Sequence, residues 1–219
     1  MSEIFPQDLI DKLTRAGIVA VVVFEDITTV IPTMQALVNA GISAIELAQR
    51  TPISLDAIKL VKKEFPKVLI GAGTVIKVDQ IREVKAAGAD FAVAPGLNRK
   101  VMDEALSISL PFAPGITTAS DIETALEYNV KFLKFFPAES IGGLKYLNAI
   151  NGPYKYLGIK YLPLGGVNIG NSKDYLKNDI ISCIGGSWIA NTNLINNKEY
   201  KIIEQNANEA MTMLKEIRK

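Results

Sequence analysis

Eight times along this chain a short apolar run rich in Val, Ile and Phe gives way to a longer segment of helical periodicity. The runs are Val19–Phe24, Ala44–Ala48, Leu69–Ala72, Phe91–Ala94, Phe112–Ala113, Phe132–Phe136, Tyr161–Leu164 and Ser182–Ile184. The punctuation between them fits helices. Ser54 is placed to N-cap a helix over Leu55–Phe65, which stops before Pro66. Asn98 can cap Arg99–Ile108, and Thr118 can cap the next helix with Asp121 in the capping-box position. Gly41 and Gly88 sit where helix C′ glycines belong, and Pro32 falls near the start of the second helix. Pro6–Ala16 reads as an extra helix before the first strand, and Lys198–Lys219 as the helix after the eighth.

Eight βα units in 219 residues are about 27 residues each. The expectation is one domain over residues 1–219, an α/β chain folded as a (β/α)₈ TIM barrel with an extra N-terminal helix. The competing fold is an open doubly wound sheet. It uses five or six strands, and its dinucleotide-binding form carries a glycine-rich turn after strand one. Here that turn reads Glu25-Asp26-Ile27, without glycine.

Composition removes several chemistries. The chain has no histidine and one cysteine, Cys183. A zinc site of His or several Cys is excluded, as is a Ser-His or Cys-His nucleophile. No intrachain disulfide can form, which suits a cytoplasmic location. Met1–Ile10 lacks the basic start and apolar middle of a signal peptide, and the longest apolar run, Ile18–Phe24, is too short to span a bilayer. A net charge of +1 gives no reason to expect nucleic acid or a membrane as partner. Chemistry must come from Lys, Glu, Asp, Arg, Tyr or Ser, or from a carboxylate-bound Mg²⁺.

In such a barrel the site lies at the C-terminal ends of the strands. Alternation in Ala44-Ile45-Glu46-Leu47-Ala48 puts Glu46 on the face with two small alanines, suited to a crowded interior. Arg50 follows one short loop later. Lys134 shares a face with Phe132 and Phe136. A lysine withdrawn from water favours the neutral amine, the nucleophile that forms a Schiff base with a ketone. Position alone leaves two bland readings open: a strand-end lysine with its ammonium in water, and a carboxylate paired structurally with Arg50. Leu164-Gly165-Gly166-Val167-Asn168 follows strand seven, and Gly185-Gly186-Ser187-Trp188 follows strand eight. Loops after these two strands commonly hold phosphate through backbone N–H groups and a helix N-terminus, although two tight turns would read the same way. Thr74 and Arg50 together could hold a substrate carboxylate.

Taken in order, Ile45-Glu46-Leu47 with Arg50-Thr51, Gly71-Ala72-Gly73-Thr74-Val75, Ala94-Pro95-Gly96-Leu97, Pro114-Gly115-Ile116-Thr117, Lys134-Phe135-Phe136-Pro137-Ala138-Glu139 and Gly185-Gly186-Ser187-Trp188 closely resemble the 2-keto-3-deoxy-6-phosphogluconate (KDPG) / 4-hydroxy-2-oxoglutarate (KHG) aldolase family. The likeness runs from about Ile18 to Ile189. The resemblance implies a metal-independent class I aldolase on a (β/α)₈ barrel, usually a homotrimer, with no cofactor. It would cleave a phosphorylated keto-deoxy sugar acid to pyruvate and glyceraldehyde 3-phosphate, as in Entner–Doudoroff metabolism, and KHG to pyruvate and glyoxylate. It implies Lys134 as Schiff-base lysine and Glu46 as general acid/base. Arg50 and Thr74 would hold the pyruvyl carboxylate, Pro95 and Phe136 would shape the pocket, and Gly165, Gly166, Gly186 and Ser187 would receive the phosphate.

Two positions depart from the family pattern. Leu164 stands where the family commonly has Thr, near the substrate's C4 hydroxyl, and a sister group acting on the galactonate-derived C4 epimer tends to be apolar there. Ala48-Gln49 stands where Thr-Leu is frequent. The rival functions are a Mg²⁺-dependent phosphate-binding barrel enzyme and a barrel that binds a sugar phosphate without aldolase activity.

Overall fold

A computed structural model describes residues 4–218. The strands are β1 (Ile18–Val22), β2 (Ala44–Ala48), β3 (Leu69–Gly73), β4 (Phe91–Val93), β5 (Phe112–Ala113), β6 (Gly115–Ile116), β7 (Phe132–Phe135), β8 (Lys160–Pro163) and β9 (Ile184–Gly186). The helices are α1 (Gln7–Ala16), α2 (Val30–Asn39), α3 (Ser54–Glu64), α4 (Val78–Ala87), α5 (Arg99–Ser107), α6 (Ala119–Glu127), α7 (Gly143–Asn151), α8 (Ile169–Leu176), α9 (Thr192–Asn196) and α10 (Tyr200–Ile217). All pairing between named strands is parallel.

Hydrogen bonding groups the strands into a six-stranded sheet, β5-β4-β3-β2-β1-β9, and a three-stranded sheet, β6-β7-β8. The fifth expected strand, Phe112–Ala113, is present as β5, and a split at Pro114, which has no N–H to give to a ladder, separates it from a further short strand, β6. Phe112 and Ala113 pair with β4, while Gly115 and Ile116 pair with β7, so this short segment passes from one sheet to the other. At the opposite margin Tyr161 of β8 bridges in parallel to Ile181. There the Tyr161 N–H donates to the Ile180 carbonyl at 2.9 Å, and the Ser182 N–H to the Tyr161 carbonyl at 3.1 Å.

Residues of both sheets share a buried interior cluster. Val19, Ala44, Phe91, Val93, Ala113, Phe132, Leu162 and Cys183 belong to it. Their strand alternates, among them Ile18, Ala20, Ile45, Leu47, Leu133 and Phe135, pack in the larger cluster under the helices. This is the period-two alternation expected of strands covered on both faces. The N-terminal segment fills the interior from one end. Phe5, Leu9, Ile10 and Leu13 join the inner cluster, with the Phe5 ring stacked on Phe132 at 4.6 Å and edge-on to Phe91 at 5.9 Å. Chemistry is left to the other end, where the strands finish.

Several boundaries differ from the sequence reading. Ser54 is the first residue of α3 and not its cap; its hydroxyl donates back to the Thr51 carbonyl at 2.8 Å. The last strand covers Ile184–Gly186 where Ser182–Ile184 was expected. Its glycines read as a turn because they have no side chain to show a strand pattern. They are needed there, since a Cβ on Gly185 would lie 2.6 Å from Leu164 Cγ. The C-terminal helix begins at Tyr200, after Lys198 at φ 58°, and Lys219 lies outside the described residues. The Asn98 cap and the Thr118–Asp121 capping box are present as expected. Among the described residues no helix is long and apolar enough to cross a membrane.

Candidate active site

β2 and β7 belong to different sheets and meet through two side chains. Lys134 Nζ lies 2.9 Å from Glu46 Oε1 and 3.2 Å from Oε2, and the two residues are 4% and 1% exposed. Both point into the shared interior, as alternation predicted. The Phe136 ring lies 5.6 Å from Nζ and presents its electron-rich face to the cation. Taking two charges out of water is costly, and a bidentate contact offsets part of that cost. The arrangement also has a neutral form. Passing one proton from Nζ to the carboxylate leaves an amine and an acid with no uncompensated charge. That amine is a nucleophile and that acid is a proton donor, side by side.

Room for the carboxylate is made by the neighbouring strand. Gly73 pairs with Ala48 at the end of β3, and a Cβ on Gly73 would sit 2.2 Å from Glu46 Oε1. Gly73 is therefore part of the site, although in the sequence it was indistinguishable from turn chemistry. Gly115 plays a similar part beside the lysine. It is the register partner of Lys134, and a Cβ there would sit 2.2 Å from the Pro95 carbonyl. Pro95, half-buried, is thereby packed one ladder position from Lys134.

Arg50 does not pair with Glu46. It is exposed, and its Nε donates to Thr74 Oγ1 at 3.1 Å. Neither terminal guanidinium nitrogen has a partner among the described residues. Thr74 holds φ 59°, a left-handed conformation that costs a non-glycine residue on the order of 1 kcal/mol. Its hydroxyl and the guanidinium fork form a donor set of the kind that grips a carboxylate.

The two glycine turns lie side by side at the ends of β8 and β9. Gly165 and Gly166 hold φ 90° and 87°, open only to glycine at low cost. Leu164, 5% exposed, packs against Gly185, and the Trp188 ring covers Gly186 so closely that a Cβ there would fall 1.7 Å from it. Ser187 is exposed. The N–H groups of Gly165, Gly166, Ser187 and Trp188 have no acceptor among the described residues. Successive free amides are the donors from which anion-binding concavities are built. The helix after β9 has only five residues.

Cys183 is buried in the inner cluster, and burial pushes its thiol up to about 12. Among the described residues no three His, Cys, Asp or Glu side chains gather closely enough to hold a metal.

A family model described as "Aldolase: KDPG and KHG aldolase" matches residues 9–206. The chain is 38% identical to the KHG/KDPG aldolase of Escherichia coli over 91% of its own length and 92% of that relative. It is 36% identical to the 2-dehydro-3-deoxy-phosphogluconate aldolase of Haemophilus influenzae, over 95% and 98%. The crystal structure of KDPG aldolase from Legionella pneumophila, with pyruvate captured as a covalent carbinolamine intermediate, superposes with a TM-score of 0.86 at 34% identity, covering 91% of this chain and 96% of that one. The Zymomonas mobilis KDPG aldolase structure with 3-phosphoglycerate superposes at 0.85 with 34% identity, covering 92% and 94%.

Proposed function

The chain belongs to the KDPG and KHG aldolase family, and we propose that it is a class I aldolase cleaving KDPG to pyruvate and glyceraldehyde 3-phosphate. The observation that carries this reading is the buried contact of Lys134 with both oxygens of Glu46 at the open end of the strands. The neutral amine of Lys134 attacks the C2 ketone to give a carbinolamine. Glu46 donates the proton that lets its hydroxyl leave as water, and a protonated imine forms. The C4 hydroxyl loses its proton, the C3–C4 bond breaks, and its electron pair flows into the imine. The aldehyde departs and leaves an enamine. Protonation of the enamine at C3 and hydrolysis release pyruvate and restore the lysine. Glu46, within hydrogen-bond reach of Nζ, carries the protons at the nitrogen end.

Arg50 and Thr74 hold the pyruvyl carboxylate in this scheme. Pro95 and Phe136 line the pocket, and Gly165, Gly166, Gly186 and Ser187 receive the phosphate, with the free amides of Gly165, Gly166 and Ser187 and the serine hydroxyl as donors. KHG, which carries a carboxylate and no phosphate at its far end, is a second substrate. The same proposal takes residues 1–219 as one domain and the strands as a closed eight-stranded barrel, for which the split at Pro114 and the Tyr161–Ile181 bridge speak. It takes the protein as a homotrimer, as the resemblance implies, and as cytoplasmic, which its single cysteine suits.

Borohydride trapping with pyruvate in the presence of EDTA, followed by peptide mass spectrometry, tests the reading. A reduced pyruvyl adduct on Lys134 is expected. No adduct, or an adduct on another lysine, would sink it and bring a Mg²⁺-dependent or binding-only barrel forward. A second substrate reading attaches to Leu164. Its apolar side chain, packed on Gly185 beside the phosphate turns, offers no hydrogen bond to a C4 hydroxyl. The galactonate-derived epimer is therefore the substrate to assay alongside KDPG, and the higher kcat/KM decides between them.

A further inference from the structure

Glu139 has no part in the scheme above; it is an exposed residue whose carboxylate is nevertheless tied to a buried tyrosine. It follows the strand that carries Lys134, with its side chain between two turns. A Cβ on Gly166 would lie 2.6 Å from Glu139 Cβ, and a Cβ on Gly143 would lie 2.9 Å from Glu139 Oε1. The Tyr175 hydroxyl, from α8, donates to Glu139 Oε1. Tyr175 is 2% exposed, and burial followed by the nearby carboxylate pushes its phenol upward, so the hydroxyl remains a donor at neutral pH.

The backbone explains what this tie holds. The Ala138 N–H donates to the Leu164 carbonyl at 2.7 Å, and the Glu139 N–H to the Gly165 carbonyl at 2.9 Å. The side-chain amides of Asn168 and Asn171 donate to the Gly166 carbonyl at 3.0 and 3.1 Å. All three carbonyls of the turn are thus bound on the protein side. In a trans peptide the N–H points opposite to the C=O. The Gly165 and Gly166 amides, attached to two of those bound carbonyls, are therefore turned away from the Ala138–Glu139 segment, and they have no acceptor among the described residues. A carboxylate so close to an anion site would repel the anion. Its presence is accounted for if its bond from Tyr175 fixes the Glu139 backbone, whose N–H grips the turn, because a charged acceptor gives a stronger hydrogen bond than a neutral one.

We propose that Glu139 is a positioning residue for the phosphate of the substrate: anchored by Tyr175, it fixes the aim of the Gly165 and Gly166 amides relative to Lys134. The proposal rests on the aldolase reading of this site. Glu139→Ala and Tyr175→Phe should each raise KM for KDPG by roughly tenfold, the scale of one lost charged hydrogen bond, while kcat stays within about twofold. Inhibition by inorganic phosphate should weaken in parallel. Pyruvate trapping on Lys134, which needs no phosphate, should keep its wild-type rate. Glu139→Gln, which retains an acceptor oxygen, should recover most of the KM. Variants that trap pyruvate normally with an unchanged KM for KDPG overturn the positioning role alone. A parallel loss of trapping and KDPG turnover in Tyr175→Phe also overturns it, in favour of general support of the fold. A wild-type chain that fails to trap pyruvate overturns the aldolase reading and this role with it.

Discussion

Gly73→Ala should disable the site without touching either reacting group. The added methyl would meet Glu46 Oε1 at 2.2 Å and both Cδ and Cγ at 2.7 Å. Non-bonded carbon and oxygen do not rest closer than about 3 Å, so the carboxylate must retreat by roughly 0.8 Å or more. Its contact with Lys134 Nζ is 2.9 Å, and Glu46 is 1% exposed, so little free space receives it. A misplacement of about 1 Å can cost on the order of 10²-fold in rate. That is about 2.7 kcal/mol of transition-state stabilisation and lies at the lower end of what general acid–base catalysis supplies. The assay is pyruvate release from KDPG at 25 °C, with the rate of borohydride trapping measured in parallel. Both should fall about a hundredfold, because in the proposed scheme the displaced carboxylate serves carbinolamine formation and dehydration alike. Overpacking of this size costs roughly 1–3 kcal/mol of stability, a drop of a few degrees per kcal/mol in Tm. A far-UV spectrum and a melting curve therefore show whether the variant is folded at the assay temperature. A folded Gly73→Ala protein with kcat and trapping within threefold of wild type would refute the claim that Glu46 must hold this position.

Removing the amine separates the chemical role of the pair from its structural one. Lys134→Met should abolish turnover, and it leaves the Glu46 carboxylate buried without its partner, a loss of about 3–5 kcal/mol of stability at neutral pH. The double variant Lys134→Met with Glu46→Gln should recover much of that stability in a denaturant titration while staying inactive. Equal midpoints for the single and double variants would mean that the ion pair is not buried as described. Cys183 supplies a third check. With its thiol raised to about 12 by burial, it is neutral at pH 8, and it lies in the inner cluster. It should resist thiol reagents in the native protein and react at once in denaturant; rapid native labelling would contradict the packing of that interior.

The fold was legible wherever side chains report their surroundings. Alternation identified the inward faces of β2 and β7 because each inward polar residue is flanked by residues that suit an interior, Ala44 and Ala48 around Glu46, Phe132 and Phe136 around Lys134. The same logic failed at Gly185 and Gly186, where a strand made of glycine carries no pattern, and at Ser54, whose hydroxyl turns back to Thr51 instead of capping the helix it opens. What no local reading could supply is pairing across the interior. Lys134 and Glu46 are 88 residues apart, and from position alone Arg50, four residues away, was the nearer partner for the carboxylate. The structure resolves that choice through geometry: Arg50 lies beyond the end of β2, out in the open with Thr74, while Glu46 is the buried middle residue of the strand. The supporting glycines were hidden for a related reason. Gly73, Gly115, Gly143 and Gly166 each make space for a residue on a different strand or turn, and a glycine in sequence does not say whose atoms occupy the volume it leaves. A site of this kind is written twice, once in the reactive side chains and once in the absences beside them. Only the first half can be read before the strands are brought together. Substitutions at the absences, as with Gly73→Ala, are therefore the sharper test of the assembled geometry, since they leave every reacting atom in the chain and change only where it can stand.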